Sequence, residues 1–296
     1  MDVLWNETPE DRWQALMDRA RAPFQQSWTY GEAASALGAM VHRIELREGG
    51  KTVALAQGIE RWCLRPVMLI TMGPVWVGEA DCELQKAVLK ELRGRHAGFL
   101  IDTPAEEGSR AACESAGLKD VMTPATLADL RLGPGFRKRM AVKWRNRLRV
   151  AEASGLSVTR TTRRGVLDWL LEKDRQQQKT RRYRALPRAF TNAWQAVDPE
   201  SVFVLTTGKG DAPTAAMLFL RHGKTATYHV GWSGEEGRAQ NAHNLILSVA
   251  ARQLAEEGVG RINLGLLETE TTPGLARFKL GAGATPLKTG GTWIGW

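Results

Sequence analysis

The chain has 296 residues, 43% hydrophobic and 25% charged, which suits a soluble protein with one or two buried cores. Cys63, Cys82 and Cys113 lack disulfide or zinc spacing, and the apolar stretch from Pro66 to Gly78 is too short and broken to span a bilayer. No basic-then-apolar leader opens the chain, so we expect a cytoplasmic protein with no transmembrane segment and no metal. The net charge of +9 is uneven: Arg131 to Arg188 holds 18 Lys+Arg against 4 Asp+Glu, leaving 23 against 28 elsewhere. Such a field favours an anionic partner: a nucleotide, a phosphorylated substrate, tRNA or a membrane surface.

The first half opens with a helix over Glu7 to Arg21, Trp13, Leu16 and Met17 lying on one side. Strands Val41 to Leu46 and Thr52 to Ile59 flank the turn Glu48-Gly49-Gly50-Lys51. Pro66 to Val77 is β-like, Asp81 to Arg95 an amphipathic helix, Gly98 to Asp102 a strand, and Glu106 to Ala116 a helix closed by Gly117. After the turn Leu132-Gly133-Pro134-Gly135 comes a helix from Phe136 to Ser154. Phe136, Met140, Trp144, Leu148 and Ala151 form its inward stripe, while Lys143, Arg145 and Arg149 ride the remaining face. Strands follow at Val202 to Thr206, Pro213 to Leu220 and Thr225 to Trp232, then a helix Asn244 to Glu257 and a strand Arg261 to Leu266. A helix Pro273 to Leu280 and a strand Pro286 to Ile294 close the chain. Both halves share this order, which suggests a duplicated α/β unit.

Three segments resemble FemAB-like proteins, tandem GNAT-fold transferases. They are Phe24 to Ala33 (Phe-Gln-Gln-Ser-Trp-Thr-Tyr-Gly-Glu-Ala), the basic helix Lys143 to Glu152, and the closing run of Ile262-Asn263-Leu264-Gly265, Gly274 to Lys279 and Gly281-Ala282-Gly283. The resemblance implies an α/β (α+β) chain of two tandem GNAT-like domains, each a mixed, mostly antiparallel sheet flanked by helices. The expected domains are 1–133 and 134–296, the second catalytic, with the last strand packing back toward the first. One departure is Ala33-Ala34, where peptidoglycan-directed relatives carry a lysine for the nucleotide-linked precursor. A second is in the acetyl-CoA pyrophosphate loop: Arg238 fits its first position, but Asn241 replaces a glycine.

By resemblance, Lys279 sits beside the transferred acyl group and stabilises negative charge, and Phe278 shapes the channel. The loop from Ser233 to Asn244 enters a helix N-terminus, an anion site in which Arg238, Asn241, His243 and Asn244 are candidate cofactor ligands. Tyr228 and His229 occupy the central strand and alternate between its faces, so one of them faces the cleft. Glu268 and Glu270, just past the last central strand, are candidate general bases. Lys143, Arg145 and Arg149 are candidate phosphate ligands, and Lys179-Thr180-Arg181-Arg182-Tyr183-Arg184 interleaves an aromatic with cations. Trp62, Trp76 and Trp169 are expected in the core, Trp232 and Trp293 beside the cleft. The expected activity is N-acyl transfer by direct attack of an amine, small-molecule or peptide, on acyl-CoA (acetyl-CoA). Alternatives are an aminoacyl-tRNA-dependent peptidyltransferase and a non-catalytic RNA- or anion-binding protein on a GNAT scaffold.

Overall fold

A computed structural model describes residues 1–183, 185–209 and 212–296; Arg184, the last cation of the basic stretch, lies outside them. The chain forms two compact units, Met1–Thr126 with Leu287–Trp296, and Leu127–Pro286. The division precedes the Leu132–Gly135 turn because the strand before that turn already pairs with the second sheet.

The first unit opens with β1 (Asp2–Trp5), α1 (Glu10–Ala20), α2 (Trp28–Ala36) and the hairpin of β2 (Met40–Glu48) and β3 (Lys51–Trp62). It continues with β4 (Pro66–Thr71), β5 (Val75–Trp76), α3 (Cys82–Arg95), β6 (Phe99–Thr103), α4 (Arg110–Ser115) and β7 (Lys119–Met122). The chain then enters the second sheet through β8 (Thr126–Arg131), followed by α5 (Phe136–Arg139), α6 (Val142–Ala153), β9 (Val158–Thr161), α7 (Arg164–Arg181) and α8 (Arg188–Val197). Next come β10 (Val202–Lys209), β11 (Ala212–His222), β12 (Thr225–Ser233), α9 (Glu235–Ala239), α10 (Ala242–Glu256), β13 (Arg261–Leu266), α11 (Pro273–Gly281) and β14 (Thr285–Lys288). The final strand, β15 (Thr292–Gly295), belongs to the first unit's sheet.

Among the described residues the first sheet runs β1-β2-β3-β4-β6-β15-β7, with β5 on β3. Its pairings are antiparallel except for β4 and β6, which run parallel from Val67↔Phe99 to Thr71↔Thr103. Ile44, Leu46, Met68, Ile70, Val88, Leu89, Leu92 and Leu100 form its core. Helix α3 starts where Asp81 accepts a hydrogen bond from the Leu84 N–H at 2.8 Å, a side-chain cap on an otherwise unpaired donor. The fully buried Glu45 accepts hydrogen bonds from Arg12, Arg47, Thr52 and Thr8. Burial pushes its carboxyl up, but these donors outweigh that and hold it well below the usual carboxylate range.

The second sheet runs β14-β8-β13-β12-β11-β10-β9, with β12 and β13 parallel. Its core joins Phe203, Met217, Phe219, Ile262 and Leu264 to Trp144 and Leu148 of α6 and Leu245, Ile246 and Leu247 of α10.

Four local expectations differ from the structure. The Pro66–Val77 run ends at Thr71 because Met72 turns left-handed (φ 58), and Val75–Trp76 pairs separately on β3. The Phe136–Ser154 helix is interrupted: Met140 and Ala141 are extended, and the Ala141 N–H donates to the Gly281 carbonyl at 2.9 Å. The Pro286–Ile294 run divides at Gly290-Gly291 (φ 89 at Gly291), sending β14 and β15 to different sheets. Trp62 is not core but exposed beyond the last buried position of β3. Helices α7 and α8 lie in a stretch for which the sequence analysis assigns no element.

Candidate active site

The second unit holds an opening between its two parallel strands. β12 and β13 pair only at Thr225↔Arg261, Ala226↔Ile262 and Thr227↔Asn263, after which β12 continues to Ser233 alone on that side. Two irregularities accompany the divergence. His229 is an extra residue in β12, since Phe219 pairs with Tyr228 and Leu218 with Val230. In β13 the register against β8 shifts between Asn263 and Leu266, at Gly265, which has φ 79. A left-handed conformation there costs glycine least.

Helix α11 brings Lys279 to the end of β13. Its side chain is buried, and Nζ donates to the Leu266 carbonyl at 2.6 Å. Burial lowers its pKa to about 8, partly opposed by Glu268. Helix α11 begins at Pro273, which tolerates a first-turn position, and presents Ala276 and Lys279 inward at i and i+3. Phe278 lies 5.9 Å from Trp144 of α6 and 6.3 Å from His243 of α10, centroid to centroid. The Trp144 indole N–H and the Asn244 side-chain amide, both buried, have no hydrogen-bond partner among the described residues. Such donors are costly to leave unmade, and they lie on α6 and α10, the helices whose Trp144 and His243 meet Phe278.

The remaining candidates separate. Tyr228 packs on Phe219 at 5.9 Å, and burial raises its pKa, with Asp174 adding to the rise. His229 turns to α8, where its Nε2 lies 2.9 Å from the Thr191 hydroxyl; burial lowers its pKa to about 4. A neutral imidazole follows at neutral pH. His243 contacts the Trp232 carbonyl at 3.0 Å, and its pKa is lowered by burial. Glu268 and Glu270 are exposed, although Glu268 is close enough to influence Lys279. Lys143, Arg145 and Arg149 are all exposed on α6, to either side of the buried Trp144 and Leu148 stripe. Trp293, expected beside the cleft, is buried in the first unit's core, donating to the Gly290 carbonyl under the Arg110 guanidinium.

The loop ahead of α10 is largely self-satisfied. It folds into the short helix α9, and the N–H groups of Arg238, Gln240, Asn241 and Asn244 donate to Gly234, Glu236, Arg238 and Asn241 carbonyls at 3.0–3.2 Å. Asn241 is left-handed (φ 52), and the Arg238 guanidinium donates to the Ser233 carbonyl. Exposed Glu235 and Glu236 add negative charge at its start.

Sequence reasoning missed Asp174. This buried acid of α7 accepts from the Tyr183 hydroxyl and the Gln178 amide, each at 2.6 Å. Gln177 donates to the Gly231 carbonyl at 3.0 Å, and Lys173 lies 5.2 Å over the Trp232 ring. The signal was an acid continuing the buried stripe Leu167, Leu170 and Leu171 at helical spacing.

Two units, each a largely antiparallel sheet with one parallel pair and flanking helices, define a tandem GNAT-type acyltransferase scaffold. The family described as an acetyltransferase (GNAT) domain matches residues 137–288, and the chain belongs to it: an acyltransferase of the GNAT superfamily, FemAB-like in architecture. No curated protein sequence matches significantly. Among solved structures, FemX is similar at 12% identity and a TM-score of 0.83, over 99% of this chain and 97% of that one. A tandem GNAT protein from the clavulanic acid biosynthesis pathway is similar at 13% identity and TM-score 0.56, over 99% and 98%. L-PGS from Bacillus licheniformis gives 13% and 0.53, over 97% and 91%. Identities this low speak to the fold. Among the described residues no cluster suits a metal ion, and no helix is long and apolar enough to cross a membrane.

Proposed function

We propose that the chain transfers an aminoacyl group from the 3′ end of an aminoacyl-tRNA to an amine by direct attack. The observation that carries this reading is helix α6. One face sets Trp144 against Phe278, next to Lys279, while the exposed sides present Lys143, Arg145 and Arg149 to solvent. A polyanion held on the outer face is thereby held beside the buried lysine.

The amine nitrogen forms a bond to the ester carbonyl carbon, generating a tetrahedral oxyanion, and the bond to the ribose oxygen then breaks. The amine gives up a proton, and the departing ribose oxygen takes one up. Lys279 is the residue suited to the oxyanion: with a pKa of about 8 it is roughly nine-tenths ammonium at pH 7. Tyr228, nearest the divergence of β12, suits the proton path better than His229, which is tied to Thr191.

Acyl-CoA is the second reading, favoured by the family itself and by the exposed Arg238 near the α10 N-terminus. Against it, the Arg238, Gln240, Asn241 and Asn244 N–H groups are spent within the loop, and two carboxylates stand at its entry. The deciding assay offers the purified chain charged tRNA or acetyl-CoA with an amine acceptor. Transfer from charged tRNA, with affinity falling steeply as salt rises, supports the proposal. Transfer from acetyl-CoA alone rejects the donor, and transfer from neither rejects both.

A further inference from the structure

The tip of the β3–β4 hairpin is apolar where such turns are ordinarily polar. It reads Arg61-Trp62-Cys63-Leu64-Arg65, and the exposures are 75% for Trp62 and 100% for Leu64. β3 ends at Trp62, opposite Pro66 of β4, and the Cys63 N–H donates to the Arg65 carbonyl to close the turn. Further exposed apolar groups lie at this end of the same sheet. Met40 begins β2 opposite Glu60, and Trp296, 71% exposed, meets Phe99 of β6 edge-on at 6.3 Å.

The tip is fixed at its base. The Glu60 carboxylate lies 3.2 Å from His42 Nε2 and 3.3 Å from His96 Nε2, while the Trp5 indole N–H donates to His42 Nδ1. With Nδ1 accepting, the proton of a neutral His42 sits on Nε2 and points at Glu60, so this group is a brace and not a metal site. Gly98 adds a second constraint: a Cβ there would lie 1.8 Å from the Pro66 carbonyl oxygen, so β4 and the approach to β6 are in backbone contact.

Charge decides the partner. Glu60 is engaged by the two histidines, and neither Arg61 nor Arg65, both exposed, takes part in an ion pair among the described residues. Exposed tryptophan and leucine between unpaired arginines match the polarity gradient of a bilayer interface: rings at the headgroup boundary, an aliphatic tip below, guanidinium groups on lipid phosphates. We propose that this hairpin seats the first unit on an anionic membrane surface, peripherally and without spanning it. The proposal does not depend on the acyl donor.

The test is co-sedimentation of the full chain with vesicles of phosphatidylcholine alone or with phosphatidylglycerol added. Binding should favour the anionic vesicles. Trp62→Ser with Leu64→Ser should lower it about tenfold or more, and Arg61→Glu with Arg65→Glu should abolish the preference for phosphatidylglycerol. Because all four side chains are exposed, circular dichroism and Tm should stay at wild-type values. A fluorophore on Cys63, in a Cys82→Ser background, should shift to the blue on anionic vesicles. No binding to either vesicle overturns the proposal. So does binding that survives Trp62→Ser/Leu64→Ser but is lost on reversing Lys143, Arg145 and Arg149. A change in oligomeric mass in the tip variant, without vesicle binding by the wild type, would assign the tip to contact between copies instead.

Discussion

Each unit contains one parallel strand pair, its two strands separated in sequence by helix, and the two pairs end differently. In the first unit β4 and β6 stay paired from Val67 to Thr71; in the second, β12 and β13 part after Thr227 and Asn263. The closed pair is followed in register by β15, a strand that seals the next edge. The open pair is flanked by the His229 bulge, left-handed Gly265, and a helix bearing a buried lysine. The open pair is thus the one of the two that leaves backbone and a buried cation next to unpaired strand edges.

The sharpest way to break that contrast is to remove the charge from the opening. Lys279→Ala should lower kcat by about 10²–10³-fold, the range for losing one preorganised oxyanion donor. Thermal melting should show no loss of fold, since the buried ammonium is itself a cost. Unchanged turnover in a folded variant would move the chemistry elsewhere. The next effect is on binding. Reversing Lys143, Arg145 and Arg149 to Glu should raise KM for charged tRNA by about ten- to a hundredfold and flatten its salt dependence, leaving kcat at saturation near wild type. A fall in kcat with KM unmoved would mean that the outer face of α6 serves Trp144 packing rather than tRNA.

The legible parts were those with a strong period or a family pattern. Trp144, Leu148 and Ala151 do form the inward stripe of α6, and Lys279 falls on a helix whose start Pro273 announces. Phe136 and Met140 fit the same period but lie outside α6, because a tertiary hydrogen bond from Ala141 to Gly281 redirects the chain between them. Periodicity carries no trace of that bond. Helix α7 is hard to read because charge density over Arg163 to Arg182 obscures the stripe and Asp174 interrupts its apolar character. Trp62 was expected in the core on residue type alone, yet it ends β3 at the turn into β4, beyond the last buried position of the strand. Ala33 and Ala34, noted for the lysine they lack, are buried in α2, so this position offers no side chain to a ligand.

A third prediction tests whether the closed unit is purely a scaffold. Glu45→Gln keeps the side-chain shape but leaves Arg12 and Arg47 without a carboxylate, and should cost about 1–3 kcal/mol of stability. The sign with pH follows from Glu45's depressed pKa. Its contribution is fully present above the ordinary value near 4.5 and is lost as pH falls toward the lower folded value, so wild type should lose more stability in acid than the variant. Chemical denaturation at neutral and acid pH measures both. Turnover of the folded variant should match wild type; a large fall in kcat would place the first unit in the chemistry.

The smallest effect is also the one that separates two roles for Lys279. If its ammonium stabilises the oxyanion, activity falls as pH rises through about 8, reaching roughly half of its plateau there. If instead the neutral amine takes a proton from the acceptor, activity rises over the same interval. Stability moves independently of either role. The folded pKa lies below the ordinary lysine value of 10.5, so the unfolded chain binds more protons between the two, and stability should rise with pH across that window. Measuring kcat and Tm together from neutral pH to about 9 therefore assigns the proton. A falling rate with a Tm increment that Lys279→Met abolishes identifies the ammonium as the working form, whereas a falling rate in Lys279→Met as well assigns the titration to another group.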